Sequence, residues 1–324
     1  MAKILGRTGA IGIGKETTKG TAVVPTYWIP VQSYSHDDKA EHVKNDSVMG
    51  RIEEYNAAHL IKKWGEGDYE GKIFLNSVGA ELTALFGKAP TSTQRATSGV
   101  YDHAFSLQND NDHKSLTLSY KDALQALSWP LGMIDTWSLD VAVDDYVKRS
   151  LSIKSKKSET ATLTPAIANE VEFIPKNVSF KMASAQSGLA AASAINVTSF
   201  NLEVSKNVEE LYVLGNEEPH DIINKQVGVT GSVEMYFEST TYRDYYFANT
   251  HRAIRLDMTD VATDLGSGHN PQLYFDLNEV VFDEFERGWD PNDPLKQTLN
   301  FEALYNLADA AMITARLTNL VTSY

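Results

Sequence analysis

The stretch Val197-Thr-Ser-Phe-Asn-Leu-Glu-Val-Ser205 puts Phe200, Leu202 and Val204 on one side of an extended chain. Ser199, Asn201, Glu203 and Ser205 fall on the other. A period of two marks a strand with one face in a core and one in water. The pattern recurs downstream. Val227, Val229, Gly231, Val233, Met235 and Phe237 alternate with Thr230, Ser232 and Glu234, and Leu299, Phe301 and Ala303 alternate with Thr298, Asn300 and Glu302. Aromatic and β-branched residues at the apolar positions suit a half-buried pleated surface.

Similar text stands in the first half of the chain. Val31-Gln-Ser-Tyr34 is echoed by Val197-Thr-Ser-Phe200, and Gly50 and Gly215 follow at similar distances. Gly67-Asp-Tyr-Glu-Gly71-Lys-Ile-Phe74 is echoed by Gly228-Val-Thr-Gly231-Ser-Val-Glu-Met-Tyr-Phe237. Each is followed by a short apolar stretch of helical spacing, Glu81 to Gly87 and Arg243 to Ala248. The halves close alike, on Val147-Lys-Arg-Ser-Leu-Ser-Ile153 and Leu295-Lys-Gln-Thr-Leu-Asn-Phe301. A duplicated β-rich unit points to assembly geometry rather than to chemistry.

The 324 residues allow two domains, each long enough for a core of its own. The expected layout is an extended glycine-rich arm over 1–25, a first β domain over 26–160 and a second over 161–324. Ser155 to Pro165 reads as the linker. The fold class expected is mainly β: two tandem antiparallel sandwiches or barrels, each with one short flanking helix. Gly87 is a suitable left-handed stop for the first helix. Thr241-x-x-Asp244 resembles a capping box at the start of the second. Turns are expected at Asn109–Asp112, Gly266–Gly268 and Asp290–Pro294.

There are no cysteines, which removes disulfides and thiolate chemistry. The start of the chain lacks a long apolar core after its charges, so no signal peptide is expected. The uncharged run from Met182 to Leu202 is too rich in Ser and Asn for lipid. Net charge is −14: the first 165 residues carry 20 acidic and 19 basic side chains, the remainder 23 and 10. Gripping DNA takes clustered Lys and Arg, which this balance does not offer.

Catalytic motifs fail on inspection. Gly9-Ala-Ile-Gly-Ile-Gly14-Lys15-Glu16 nearly spells a phosphate-binding loop, but Glu16 stands where a hydroxyl is needed and no good helix follows. His36 and Asp38 share one face of a strand, as two metal ligands could, yet no second cluster completes a site. Asn109-Asp-Asn-Asp112 lacks the glycine and closing glutamate of a calcium loop. No Gly-x-Ser-x-Gly elbow exists. Trp28, Trp64, Trp129, Trp137 and Trp289 are scattered, which favours core or interface anchoring over sugar stacking. No catalytic residue, cofactor or metal is assigned.

Two stretches resemble the major tail tube proteins of long-tailed, non-contractile bacteriophages. One is the opening, Ile13-Gly-Lys-Glu-Thr-Thr-Lys-Gly-Thr-Ala22 with Pro25 and an apolar strand after it. The other is Val197 to Val208, followed by Tyr212-Val-Leu-Gly215, Thr230-Gly231-Ser-Val-Glu and Phe301-Glu-Ala-Leu304. The resemblance implies a virion structural protein, made in the host cytoplasm, whose sandwiches join through a continuous inner sheet into rings. Stacked rings then form a hollow tail tube that passes genomic DNA into the host. Family rings often hold six units, so two units per chain imply a trimeric ring with pseudo-sixfold symmetry. Tape-measure, distal tail and tail-terminator proteins are the implied partners, with no membrane and no specific DNA contact.

On this reading Glu203, Glu234, Asn300 and Glu302 line the lumen, where acidic groups repel DNA. Lys72, Lys148 and Lys154 occupy the corresponding positions in the first half and leave the sign of that lining open. Lys39–Ile61 and Lys206–Asn224 are the candidate ring-stacking loops, with Lys44, Asp46, Arg51, Glu209, Glu210, Glu217 and Glu218 as their charged contacts. Two other readings compete: a distal tail or baseplate adaptor ring, and a carbohydrate- or receptor-binding sandwich pair.

Overall fold

A computed structural model describes residues 3–96 and 98–324. The alternating stretches form strands, and the antiparallel ladder pattern is laid down twice. The first half holds β1 (Ala10–Lys15), β2 (Tyr27–Ile29), β3 (Ser33–Tyr34), β4 (Asp37–Lys44) and β5 (Ala58–Lys72). After α1 (Ser77–Phe86) come β6 (Thr91–Gln94), β7 (Tyr101–Ser106), β8 (Leu116–Lys121), β9 (Ala126–Ala142), β10 (Lys148–Ser155) and β11 (Glu159–Thr160). The second half holds β12 (Val178–Ala183), β13 (Ala194–Ile195), β14 (Ser199–Ser205), β15 (Glu209–Leu211), β16 (Asp221–Ile223) and β17 (Gly228–Tyr236). After α2 (Thr241–Phe247) come β18 (Arg252–Thr259), β19 (Gln272–Gly288), β20 (Lys296–Ala303) and β21 (Ile313–Asn319).

In the first half β4 pairs with β5, β5 with β10, and β10 with β9. In the second, β14 pairs with β17, β17 with β20, and β20 with β19. The long strands β9 and β19 each serve two layers. Their first halves pair with β8 and β18, which carry β1 and β12 in turn. Even the irregularities match. The β9–β10 ladder shifts register at Asp135, left unpaired between Ile134 and Thr136. The β19–β20 ladder shifts at Asp283, between Phe282 and Glu284. A bulge bends a strand and sharpens its twist, which lets one long strand leave one layer and enter the other.

The halves are fused rather than merely linked. β9 pairs along its second half with β14, from Thr136–Ser205 to Ala142–Ser199, so one wall of strands runs β4-β5-β10-β9-β14-β17-β20-β19. A hairpin of β6 and β7 crosses from the first half to pair with β21 of the second. One apolar core runs through both, from Ile13, Trp137 and Leu151 to Phe200, Phe275 and Phe301. The border expected at 160/161 falls after β11, where the ladder pattern restarts, but the cores on its two sides are continuous. The sheets do not close into a barrel.

The arm expected over 1–25 needs correction. From Ala10 the chain is a strand between β2 and β8, with Ile11 and Ile13 buried. Its glycines are packing devices: a Cβ on Gly12 would stand 2.6 Å from Pro25. Glu16 is buried too. Its carboxylate accepts from the Gly20 and Leu131 N–H groups and from the Ser115 and Thr117 hydroxyls. The residue that spoils a phosphate loop is the clamp that fixes this segment.

Both helices lie where the apolar stretches predict them, in different settings. α1 is buried on every side and ends at Gly87, φ 82°. Arg149 Nε donates to both Glu81 carboxylate oxygens, at 2.9 and 2.8 Å, with both side chains sealed from water. Burial pushes the Glu81 carboxyl up while Arg149 pulls it down. α2 has no fully buried residue, and Thr240 rather than Thr241 precedes its first turn. The Thr240 hydroxyl bonds the Asp244 carboxylate at 3.2 Å instead of capping a main-chain N–H.

Candidate assembly surfaces

Three surfaces follow from this fold: the polar face of the eight-stranded wall, its two edges and its two long hairpin loops. Alternation puts one set of side chains into the core and the other outward along every strand. Cross-strand neighbours therefore share a face, and the rows can be read from the registers. Glu203 stands opposite Thr230, and Thr230 opposite Glu302. Glu234 stands between Ser199 and Thr298, and Ser232 lies between Asn201 and Asn300. Glu203, Glu234, Asn300 and Glu302 are thus brought onto one face. Lys296 donates to Glu234 at 2.8 Å and holds its carboxyl below the usual range.

The same face continues into the first half. Asn201 neighbours Asp140, Asp140 neighbours Lys148 and Lys148 neighbours Lys72. The lysines therefore share the face with the acids. Lys148 is paired to Asp145 and Lys72 to Glu172, at 2.5 and 2.9 Å.

The edges of the wall are β4 and the second half of β19. β4 pairs only with β5 and is exposed at almost every residue. Beyond Val281, β19 pairs only with β20, and residues 283–284 and 286–288 are exposed. Trp289, just past the strand, is 75% exposed. Unpaired edges of this length invite another strand.

The two loops leave the same end of the wall, because β4 and β14 run parallel four strands apart. The second loop lies down on the first half. Lys63 bonds Glu217 through its main-chain N–H and its ammonium group. Lys19 pairs with Asp221, and Val208 and Ile222 are buried against Leu131 and Met133. Lys206, in the core, donates to the Ala84 carbonyl at the end of α1, and burial lowers its pKa to about 7. Glu209 pairs with Lys225, Glu210 accepts from Tyr212, and Glu218 uses its N–H on Asn216. The first loop stands free: Val48 and Ile52 are fully exposed, Lys44 lies over the Tyr55 ring, and Asp46 and Arg51 face water. Glu217 is thus engaged by the chain's own first half, at Lys63.

His36 and Asp38 both bond within the fold. His36 Nε2 meets the Ser155 hydroxyl at 3.0 Å in the core, and burial lowers its pKa to about 4. Asp38 accepts from the Trp129 indole and from the Ser158 N–H and hydroxyl. Among the described residues no group of acidic and histidine side chains is arranged to hold a metal ion. Trp28, Trp129 and Trp137 are buried, Trp64 bonds Glu66, and Trp289 alone is exposed. Among the described residues no helix is long and apolar enough to cross a membrane.

Sequence reasoning missed Asp135 and Asp283. Carrying the Lys148/Lys296 echo thirteen residues back would have reached both.

A mainly antiparallel β protein whose wall leaves two strand edges unpaired is of the kind that associates edge to edge. The comparison with family models is specific: residues 6–303 match the model described as phage tail tube protein, from before β1 to the end of β20. The chain belongs to the phage tail tube protein family, and is a structural component of the virion tail. A comparison with curated proteins returns no match.

Proposed function

We propose that three copies of this chain close into a ring with pseudo-sixfold symmetry, and that rings stack into the hollow tube of a long, non-contractile tail. The observation that carries this is the seam inside the chain. β9 and β14 join the two halves edge to edge, and the counterparts of those strands, β19 and β4, are the two edges left unpaired. Repeating the internal seam between chains uses both edges and leaves none open. Head-to-tail contacts that close give a ring. On this reading the chain is two tandem tail-tube units with no catalytic role.

Eight strands per chain and three chains make a wall of twenty-four. At ~4.8 Å per strand its circumference is ~115 Å before tilt, a diameter of ~37 Å. Subtracting ~5 Å of side chain on each side leaves a bore of ~27 Å, wider than a DNA duplex. The polar face of the wall turns inward, with Glu203, Glu234 and Glu302 among its exposed and half-exposed acids. A trimer at −14 per chain carries −42, a field that lets DNA slide rather than stick. The free first loops, with Lys44, Asp46 and Arg51, reach the next ring. Tape-measure, distal tail and terminator proteins set the tube's length and ends.

Negative-stain microscopy and sedimentation of purified protein test this. Hollow stacked tubes are expected. Single rings that never stack would favour a distal adaptor, and a compact monomer at every concentration would overturn the proposal.

A further inference from the structure

The internal seam also specifies how neighbouring chains meet, residue by residue. This inference rests on the ring reading and goes beyond it. We infer that β19 docks on the neighbour's β3 and β4 in the register of β9 on β14, with Glu286 opposite the neighbour's Asp37, and with Asp283 as the seam's side-chain acceptor.

The mapping uses only ladder positions. β10 and β20 align Lys148 with Lys296, and through the two bulges this carries Thr136 to Glu284, Ser138 to Glu286 and Val141 to Trp289. β5 and β17 align Gly67 with Gly231, since their partners Ile153 and Phe301 are counterparts. That alignment carries Phe200 to Tyr34, Glu203 to Asp37 and Ser205 to Lys39. The internal pairs Thr136–Ser205, Ser138–Glu203 and Val141–Phe200 become Glu284–Lys39, Glu286–Asp37 and Trp289–Tyr34 between chains.

Three features of the free chain fit this register. In the internal seam Asp135 accepts twice from the strand it receives: its carbonyl takes the Lys206 N–H at 2.7 Å, and its carboxylate takes the Val208 N–H at 2.8 Å. Asp283, at the matching bulge, is exposed, and its carboxylate has no hydrogen-bond partner among the described residues. Trp289 is exposed where its counterpart Val141 is nearly sealed, and Tyr34, its partner in the register, lies stacked on Tyr120 at the chain's opposite edge. Glu284 meets Lys39, an opposite-charge pair. Glu286 meets Asp37, which already neighbours Glu66. Like charges directly opposite weaken a ladder, so this contact makes ring closure sensitive to salt. The internal seam has Ser138 at that place.

The absence of cysteine makes the test clean. The doubly substituted chain E286C/D37C, oxidised under assembly conditions, is expected to give a covalent trimer on a denaturing gel. The controls for a two-residue slip in either direction, E286C/K39C and E284C/D37C, are expected to stay largely uncrosslinked, since only directly opposed Cα atoms fall within easy disulfide reach. Preferential crosslinking of either control, with rings still visible by microscopy, would overturn the register and leave the ring reading intact. Failure of the unsubstituted chain to form rings would overturn both. A second readout needs no cysteine: Trp289 fluorescence should shift to shorter wavelength on assembly, and an unchanged spectrum in assembled rings would contradict the Trp289–Tyr34 contact.

Discussion

The two halves of this chain share a ladder and one continuous core, but fill matching positions differently. The first buries a charged pair, Arg149 with Glu81, a histidine, His36, and a whole helix. At the matching ladder positions the second half has Gln297 for Arg149 and Leu202 for His36, and its helix lies at the surface. The wall is thus built by backbone pairing that tolerates different fillings. What distinguishes the halves is how each is held together, and that can be tested by making one more like the other.

Deleting residues 2–20 should have the largest effect. It removes β1 and the Glu16 clamp, for which the second half has only β12 on its outer layer. Loss of cooperative unfolding by circular dichroism is expected; a folded, merely assembly-deficient protein would mean that the segment is an arm after all. Next is Arg149→Gln, which copies Gln297 into the first half. Removing one partner of a buried pair leaves a charge without compensation and costs about 3–5 kcal/mol. Denaturant titration should show that loss, and Glu81→Leu added to it should recover most of it.

His36→Leu, which copies Leu202, should act through pH. With its folded pKa near 4 against about 6.5 unfolded, His36 stays neutral longer in the native state. The unfolded chain therefore binds the extra proton, and stability present above pH 6.5 is lost as pH falls towards 4, by about 3 kcal/mol. The variant should show a flatter stability profile over that window; an unchanged slope would assign the acid sensitivity elsewhere. Glu217→Ala is expected to cost least, at most about 1 kcal/mol, because its pair with Lys63 is partly exposed. Its clearer signature would be faster proteolysis within residues 209–223, bringing the second loop closer to the free state of the first.

Much of the wall was legible in the sequence. Phe200, Leu202 and Val204 face a core while their neighbours face water, and a period of two needs no knowledge of the partner strand. Gly87 announced its helix end because a positive φ suits glycine. What stayed hidden depends on partners distant in sequence. Gly12 and Gly14 read as looseness when they are places where Pro25 and Val23 press close. The β7–β21 ladder joins residues more than two hundred positions apart, and the Lys63–Glu217 contact spans 154. Local pattern carries no record of either. The outward row of Glu203, Glu234, Asn300 and Glu302 is legible because it alternates; Asp283 is not, because a bulge breaks the alternation that would have exposed it.

Cryo-electron microscopy of the assembled protein, reconstructed without imposed symmetry, counts the chains in each ring. Three copies, with β19 of each continuing into β4 of the next and six similar sectors around the bore, is the result expected here. Six copies per ring, or a ring whose inner wall is interrupted between chains, would contradict it.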